Sequence, residues 1–106
     1  MAERVMFVQL KTGHDIDTGP AWISRVRFSR TWRTAYWHGR TLRRWQGVHD
    51  SNFVDVETDE EYWLSGPRRD RADTRYSAVR PEVDDEVRLA YERFLGGAPL
   101  PGRENG

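Results

Sequence analysis

The chain has 106 residues and a mass of 12.5 kDa, enough for one domain with one modest core. It is polar, with 37% hydrophobic and 32% charged residues, yet its 5 Trp, 4 Tyr and 4 Phe are too many for a disordered chain. The absence of cysteine excludes disulfides, thiolate nucleophiles, iron–sulfur clusters and Cys-containing zinc sites, and 17 basic against 17 acidic residues cancel, so total charge does not call for a polyanionic partner.

In chain order, Met1 to Arg4 and the short apolar stretch behind them have no signal-peptide pattern, and no 18-residue apolar run follows. A soluble cytoplasmic protein without membrane partners is therefore expected. Val5 to Leu10, rich in β-branched and aromatic residues, predicts a buried first strand, and His14 to Pro20 a loop. From Trp22 to Ser29, Trp22, Ser24, Val26 and Phe28 alternate with Ile23, Arg25, Arg27 and Ser29, the pattern of a half-buried strand with two arginines outward. Trp32 to His38 and Arg40 to Trp45 predict a hairpin about His38-Gly39. Asn52 to Glu57 and Glu61 to Ser65 predict a second one about Thr58-Asp59-Glu60, closed off by Gly66-Pro67. Arg68 to Thr74 then reads as an exposed charged loop and Arg75 to Val79 as a short last strand.

One helix is expected, over about 84–95, because Val87, Ala90, Tyr91, Phe94 and Leu95 form one apolar stripe. Asp84 is its expected N-cap, Asp85 and Glu86 favour its first turn, and Gly96-Gly97 supplies a stop. Residues 97–106, with Pro99, Pro101 and three glycines, are expected to form a disordered tail behind a single domain over 1–96. Short strands joined by short turns and followed by one helix predict a mainly β, α+β fold: a small bent antiparallel sheet or an SH3-like, partly open barrel. No helical pattern separates successive strands, which argues against a doubly wound α/β sheet.

Catalytic and cofactor signals are absent from the local sequence. There is no phosphate-binding glycine loop around Lys11, and Asp15 to Gly19 lacks the glycine position and twelfth-residue carboxylate of a calcium loop. The five serines lack a G-x-S-x-G context, and His14, His38 and His49 have no metal-ligand spacing, so exposed turn histidines are the simpler reading. No catalytic residue, metal ligand or cofactor is assigned. A small enzyme using those histidines with neighbouring acids stands as a third alternative.

The informative signal is how charge is partitioned. Trp22 to His49 holds seven arginines (Arg25, Arg27, Arg30, Arg33, Arg40, Arg43, Arg44), no acid and six aromatics. Asp50 to Glu61 then holds six acids and no base. Guanidinium groups neutralise phosphates and exposed aromatic rings stack unpaired bases, so the basic stretch predicts a surface for single-stranded RNA or DNA or a ribonucleoprotein. Arg25, Arg27, Arg33, Arg43 and Arg44 are the expected phosphate contacts, and Trp37 and Trp45 the expected stacking residues. Two alternatives use the same residues: strand-to-strand pairing of the basic and acidic stretches, or a protein partner or homodimer anchored on Trp and Arg. If the arginines share an uncovered face with Trp37 or Trp45, nucleic-acid binding gains; if each faces Asp55, Glu57 or Glu61, it fails.

Gly19 to Phe28, Thr31 to Tyr36 and Tyr62 to Pro67 resemble a family of small proteins of high-GC Gram-positive bacteria, over nearly the whole chain up to the helix. Some members carry the label 1-deoxy-D-xylulose-5-phosphate synthase, a thiamine-diphosphate enzyme. That synthase is a large multidomain chain with a Gly-Asp-Gly signature that this sequence lacks, so the resemblance implies a source and a size class and transfers no catalytic residue.

Overall fold

The computed structural model describes residues 2–13, 19–46, 51–70 and 80–101. Six antiparallel strands follow one another in chain order: β1 (Ala2–Leu10), β2 (Ala21–Phe28), β3 (Thr34–Trp37), β4 (Arg40–Arg44), β5 (Phe53–Asp55) and β6 (Glu61–Ser65). Each pairs with the next, and β6 returns to β1 with Leu10 opposite Tyr62 and Phe7 opposite Ser65, which closes a small barrel. A mainly β fold with one short C-terminal helix is thus what the chain forms, and the closing pairs leave the wall without free edges at β1 and β6.

Alternation along the strands builds the barrel interior from Met6, Val8, Val26, Phe28, Ala35, Trp37, Leu42, Phe53, Tyr62 and Leu64. The opposite faces of β1 and β2 carry a second apolar set, Val5, Phe7, Ala21 and Ile23. The C-terminal segment covers it with Val87, Tyr91 and Leu100. Both faces of β1 are therefore buried, which is why Val5 to Gln9 is apolar or buried without interruption.

The turns match their residues. Trp37 pairs with Arg40 across the two-residue loop His38-Gly39, and both loop residues have positive φ (47° and 72°), the type I′ geometry that fits strand twist. Expected strand 52–57 stops at Asp55, because the Asp55 carboxylate accepts the Glu57 and Thr58 amides (2.8 and 3.3 Å) and turns the chain early. Trp32, at φ 62°, also adopts the left-handed conformation, which is costly for a bulky residue; its ring packs at a tilt against Phe28 (centroids 4.7 Å apart, 34° between planes) under the Arg4 guanidinium (4.8 Å).

The wall is uneven between β2 and β3. They share only Arg27 opposite Tyr36 and Phe28 opposite Ala35. The earlier edge of β2 instead takes a short parallel strand, β7 (Glu82–Val83), opposite Trp22 and Ile23. A 3₁₀ turn over Asp85–Val87 then leads into α1 (Arg88–Leu95). The expected strand over 75–79 lies outside the described residues. The expectation of a disordered tail fails for 97–101: Leu100 is only 1% exposed and the Ala98 amide donates to the Arg93 carbonyl (2.9 Å). One leucine with a pocket to fill is enough to dock a Pro/Gly-rich segment. Among the described residues, no helix is long and apolar enough to cross a membrane.

Candidate functional site

Among the described residues, Arg40 is the arginine of the basic stretch that meets the acidic hairpin. Its Nη1 donates to Asp55 Oδ2 at 2.8 Å and to Glu60 Oε1 at 3.5 Å. Asp55 is 2% exposed, its position set by Leu42 opposite it on β4. Burial alone would push its carboxyl up. The Glu57 amide, the Arg40 hydrogen bond and the Thr58 amide together outweigh that and hold it below the usual carboxylate range. The Asp55 hydrogen bond in turn holds Arg40 above its ordinary value, and burial raises the Tyr62 phenol beside them.

The other arginines divide by strand alternation. Arg25 and Arg27 project from the outer face of β2, and Arg27 lies opposite Tyr36 with its guanidinium over that ring (5.8 Å). Arg43 is exposed opposite Thr34, the residue two before Tyr36, so Arg27, Tyr36 and Arg43 occupy adjacent rows of one outer face. The Trp45 amide donates to the Asn52 carbonyl (3.1 Å), which continues the ladder one residue beyond β4 and puts Trp45, 40% exposed, on the Arg43 side.

Arg33 and Arg44 belong elsewhere. The Arg44 amide donates to the Arg33 carbonyl (2.8 Å), and both stand at the end of the barrel, with Arg44 over the Phe53 ring (5.5 Å), which in turn packs on Phe28 (6.3 Å). Trp37 is corrected outright as a surface residue: it is 3% exposed inside the barrel, packed edge-on against Trp22 and Tyr62. Its β3 position alternates with Tyr36, and the ring that reaches solvent is Tyr36's. Among the described residues, no carboxylate lies within 4.0 Å of Arg27, Arg33, Arg43 or Arg44, and Arg25 has only the distant Glu86 (3.9 Å).

A polar cluster fills the gap between β2 and β3. Trp37 Nε1–H donates to Ser24 Oγ (2.9 Å), and the Ser24 hydroxyl and His38 Nε2–H both donate to Asp84 Oδ2, the latter at 2.7 Å. Asp84 occupies the expected N-cap position, where its carbonyl accepts the Val87 amide (3.0 Å), but its carboxylate makes no capping hydrogen bond and ties the C-terminal segment to the barrel instead. Ser24 Oγ also lies 3.4 Å from His38 Nε2, but that nitrogen faces the Asp84 carboxylate more closely (2.7 Å) and Ser24 is fully buried, so the three side chains do not present a serine nucleophile to a substrate. His14 and His49 lie outside the described residues. Among those described, no three His, Asp or Glu side chains gather as a metal site would require.

Around this cluster lie two surface hollows. One, about 520 Å3, is lined by Arg25, Arg27, Tyr36, His38 and Arg40 and by the carboxylates of Glu3 and Glu86. The other, about 390 Å3, is lined by Glu82, Asp84, Asp85 and Glu86 with Arg88. They share His38 and Glu86.

Three roles escaped the sequence reading. Arg4 and Trp32 cover the barrel end, far in sequence from each other. Arg69, expected in a solvated loop, donates to the Phe94, Gly97 and Ala98 carbonyls (3.0, 3.2 and 3.1 Å) and lies over the Phe94 ring (4.7 Å), so it finishes the helix C-terminus. A loop arginine with such a role carries no local signal. No family model, curated protein or solved structure matches the chain, so the site is interpreted from its own chemistry.

Proposed function

We propose that the outer face of β2, β3 and β4 binds single-stranded nucleic acid in the cytoplasm, with Arg25, Arg27 and Arg43 on phosphates and Tyr36 and Trp45 on bases. The observation that supports this reading is that Arg27 and Arg43 flank Tyr36 on one outer face with no carboxylate within 4.0 Å among the described residues, Glu3 standing opposite Arg27 on β1 beyond that distance, while Arg40 engages Asp55 and Glu60 of the acidic hairpin. A guanidinium without an internal counter-charge can neutralise a phosphate and free the cations condensed around the strand, and a neighbouring ring can stack any base whatever its identity. Arg33 and Arg44 at the barrel end extend the positive field beyond this face.

Fluorescence-anisotropy titration of labelled mixed-sequence single-stranded RNA and DNA tests the proposal. Log affinity is expected to fall linearly with log salt, and the Arg27→Ala, Arg43→Ala double variant to flatten that slope by roughly 1.4, at about 0.7 per lost phosphate contact. Absent salt-dependent binding, or a slope unchanged in the double variant, ends this reading and leaves a protein partner or self-association through the same Arg and Trp residues, which light scattering would detect.

A further inference from the structure

We infer that the groove beside the β3–β4 turn receives the phosphorylated end of a single strand; this rests on the nucleic-acid reading above. The groove is the place where the cationic face stops. Arg25 and Arg27 are alternate residues of β2 on the same side, about 7 Å apart along the strand, a spacing at which two guanidiniums can bracket one phosphate. Tyr36 lies beside them and His38 lies at the rim, its ring stacked on Trp37 (4.2 Å) and anchored to Asp84. Immediately past His38 and Glu86 the second hollow presents Glu82, Asp84 and Asp85.

A polyanion running from Arg43 towards Arg25 meets Glu3 and Glu86 in the groove itself, and three further carboxylates, Glu82, Asp84 and Asp85, only if it continues. A strand that terminates in the groove avoids that repulsion, whereas an internal segment must carry phosphodiesters across it. A terminal phosphomonoester also carries about −1.5 to −2 charges near neutral pH against one for a diester, which rewards a site with two guanidiniums. Glu86 lies 3.9 Å from Arg25 with both side chains about half exposed, a contact long enough to yield to a phosphate.

The experiment compares one oligonucleotide sequence in four forms: 5′-phosphorylated, 3′-phosphorylated, hydroxyl at both ends, and covalently circular. Competition anisotropy at fixed salt is expected to show at least one phosphorylated form binding about tenfold tighter than the circle. The Arg25→Ala variant, whose fold is checked by its thermal melt, is expected to bring that ratio close to one, and Glu86→Gln to strengthen binding of the circle. Equal binding of all four forms overturns the inference while the face itself still binds; failure of every form removes both. A preference that Arg25→Ala leaves unchanged, or a nucleoside monophosphate that competes as well as the phosphorylated strand, also overturns it.

Discussion

Arg40 and Arg43 are three residues apart on the same strand and have opposite fates. Arg40 lies at the mouth of the barrel on the side of Leu42 and reaches a carboxylate that is almost wholly buried; Arg43 lies on the outer side, opposite Thr34 and Val54, and reaches none among the described residues. The difference teaches that a charge-balanced chain need not be charge-paired. One buried aspartate needs one guanidinium, and the arginines left over create a field at the surface.

Three measurements would break or sharpen this contrast. Asp55→Asn is expected to cost about 2 kcal/mol in urea unfolding at pH 7, a figure kept below the fully buried range because Arg40 is partly exposed. The cost should depend on acid. Asp55 has a lowered folded-state value, so its contribution is complete above the ordinary carboxylate pKa of about 4 and is lost as pH falls through the lowered value. Wild type and variant should therefore converge in stability at strongly acidic pH; a constant gap down to acid unfolding would show that packing, and not the ion pair, is at work. Arg69→Ala should lower stability by about 1 kcal/mol, with loss of amide-exchange protection in the last turn of α1. Arg27→Ala and Arg43→Ala should each change stability by less than about 0.5 kcal/mol. A destabilisation of either outer variant comparable to that of Asp55→Asn would mean that the outer arginines also support the fold, and the contrast would collapse.

The strands were legible because their alternation is strong. Trp22 to Phe28 already separates Arg25 and Arg27 from Val26 and Phe28, and His38-Gly39 marks the turn. Trp37 was not legible as core, because Thr34-Ala35-Tyr36-Trp37 offers an aromatic to each face and apolarity does not choose between them; the partner strand does. β7 is two residues behind Pro81 with no periodicity of its own, and it exists because β3 leaves part of the β2 edge unpaired. Asp84 carries every local mark of a helix cap, yet its strongest partners, Ser24 and His38, are distant in sequence. Of the seven residues assigned to nucleic acid, the fold brings Arg25, Arg27, Arg43 and Trp45 to one side, sets Arg33 and Arg44 at the barrel end, and removes Trp37 to the interior. Parity within a strand sorted the first group; the second depended on where each strand ends, which sequence patterning marks poorly.

The patch that β7 and Asp84 place over the gap between β2 and β3 also orders events in time. All six barrel strands leave the ribosome before residues 82–100 do, so the nascent barrel can close its β1–β6 pairing while the outer apolar face of Val5, Phe7 and Ile23 is still bare. That later stretch then serves as a fastener, covering the face and completing the wall beside β2. Until it arrives, the groove keeps Glu3 opposite Arg27 but lacks the acidic border of Glu82, Asp84, Asp85 and Glu86.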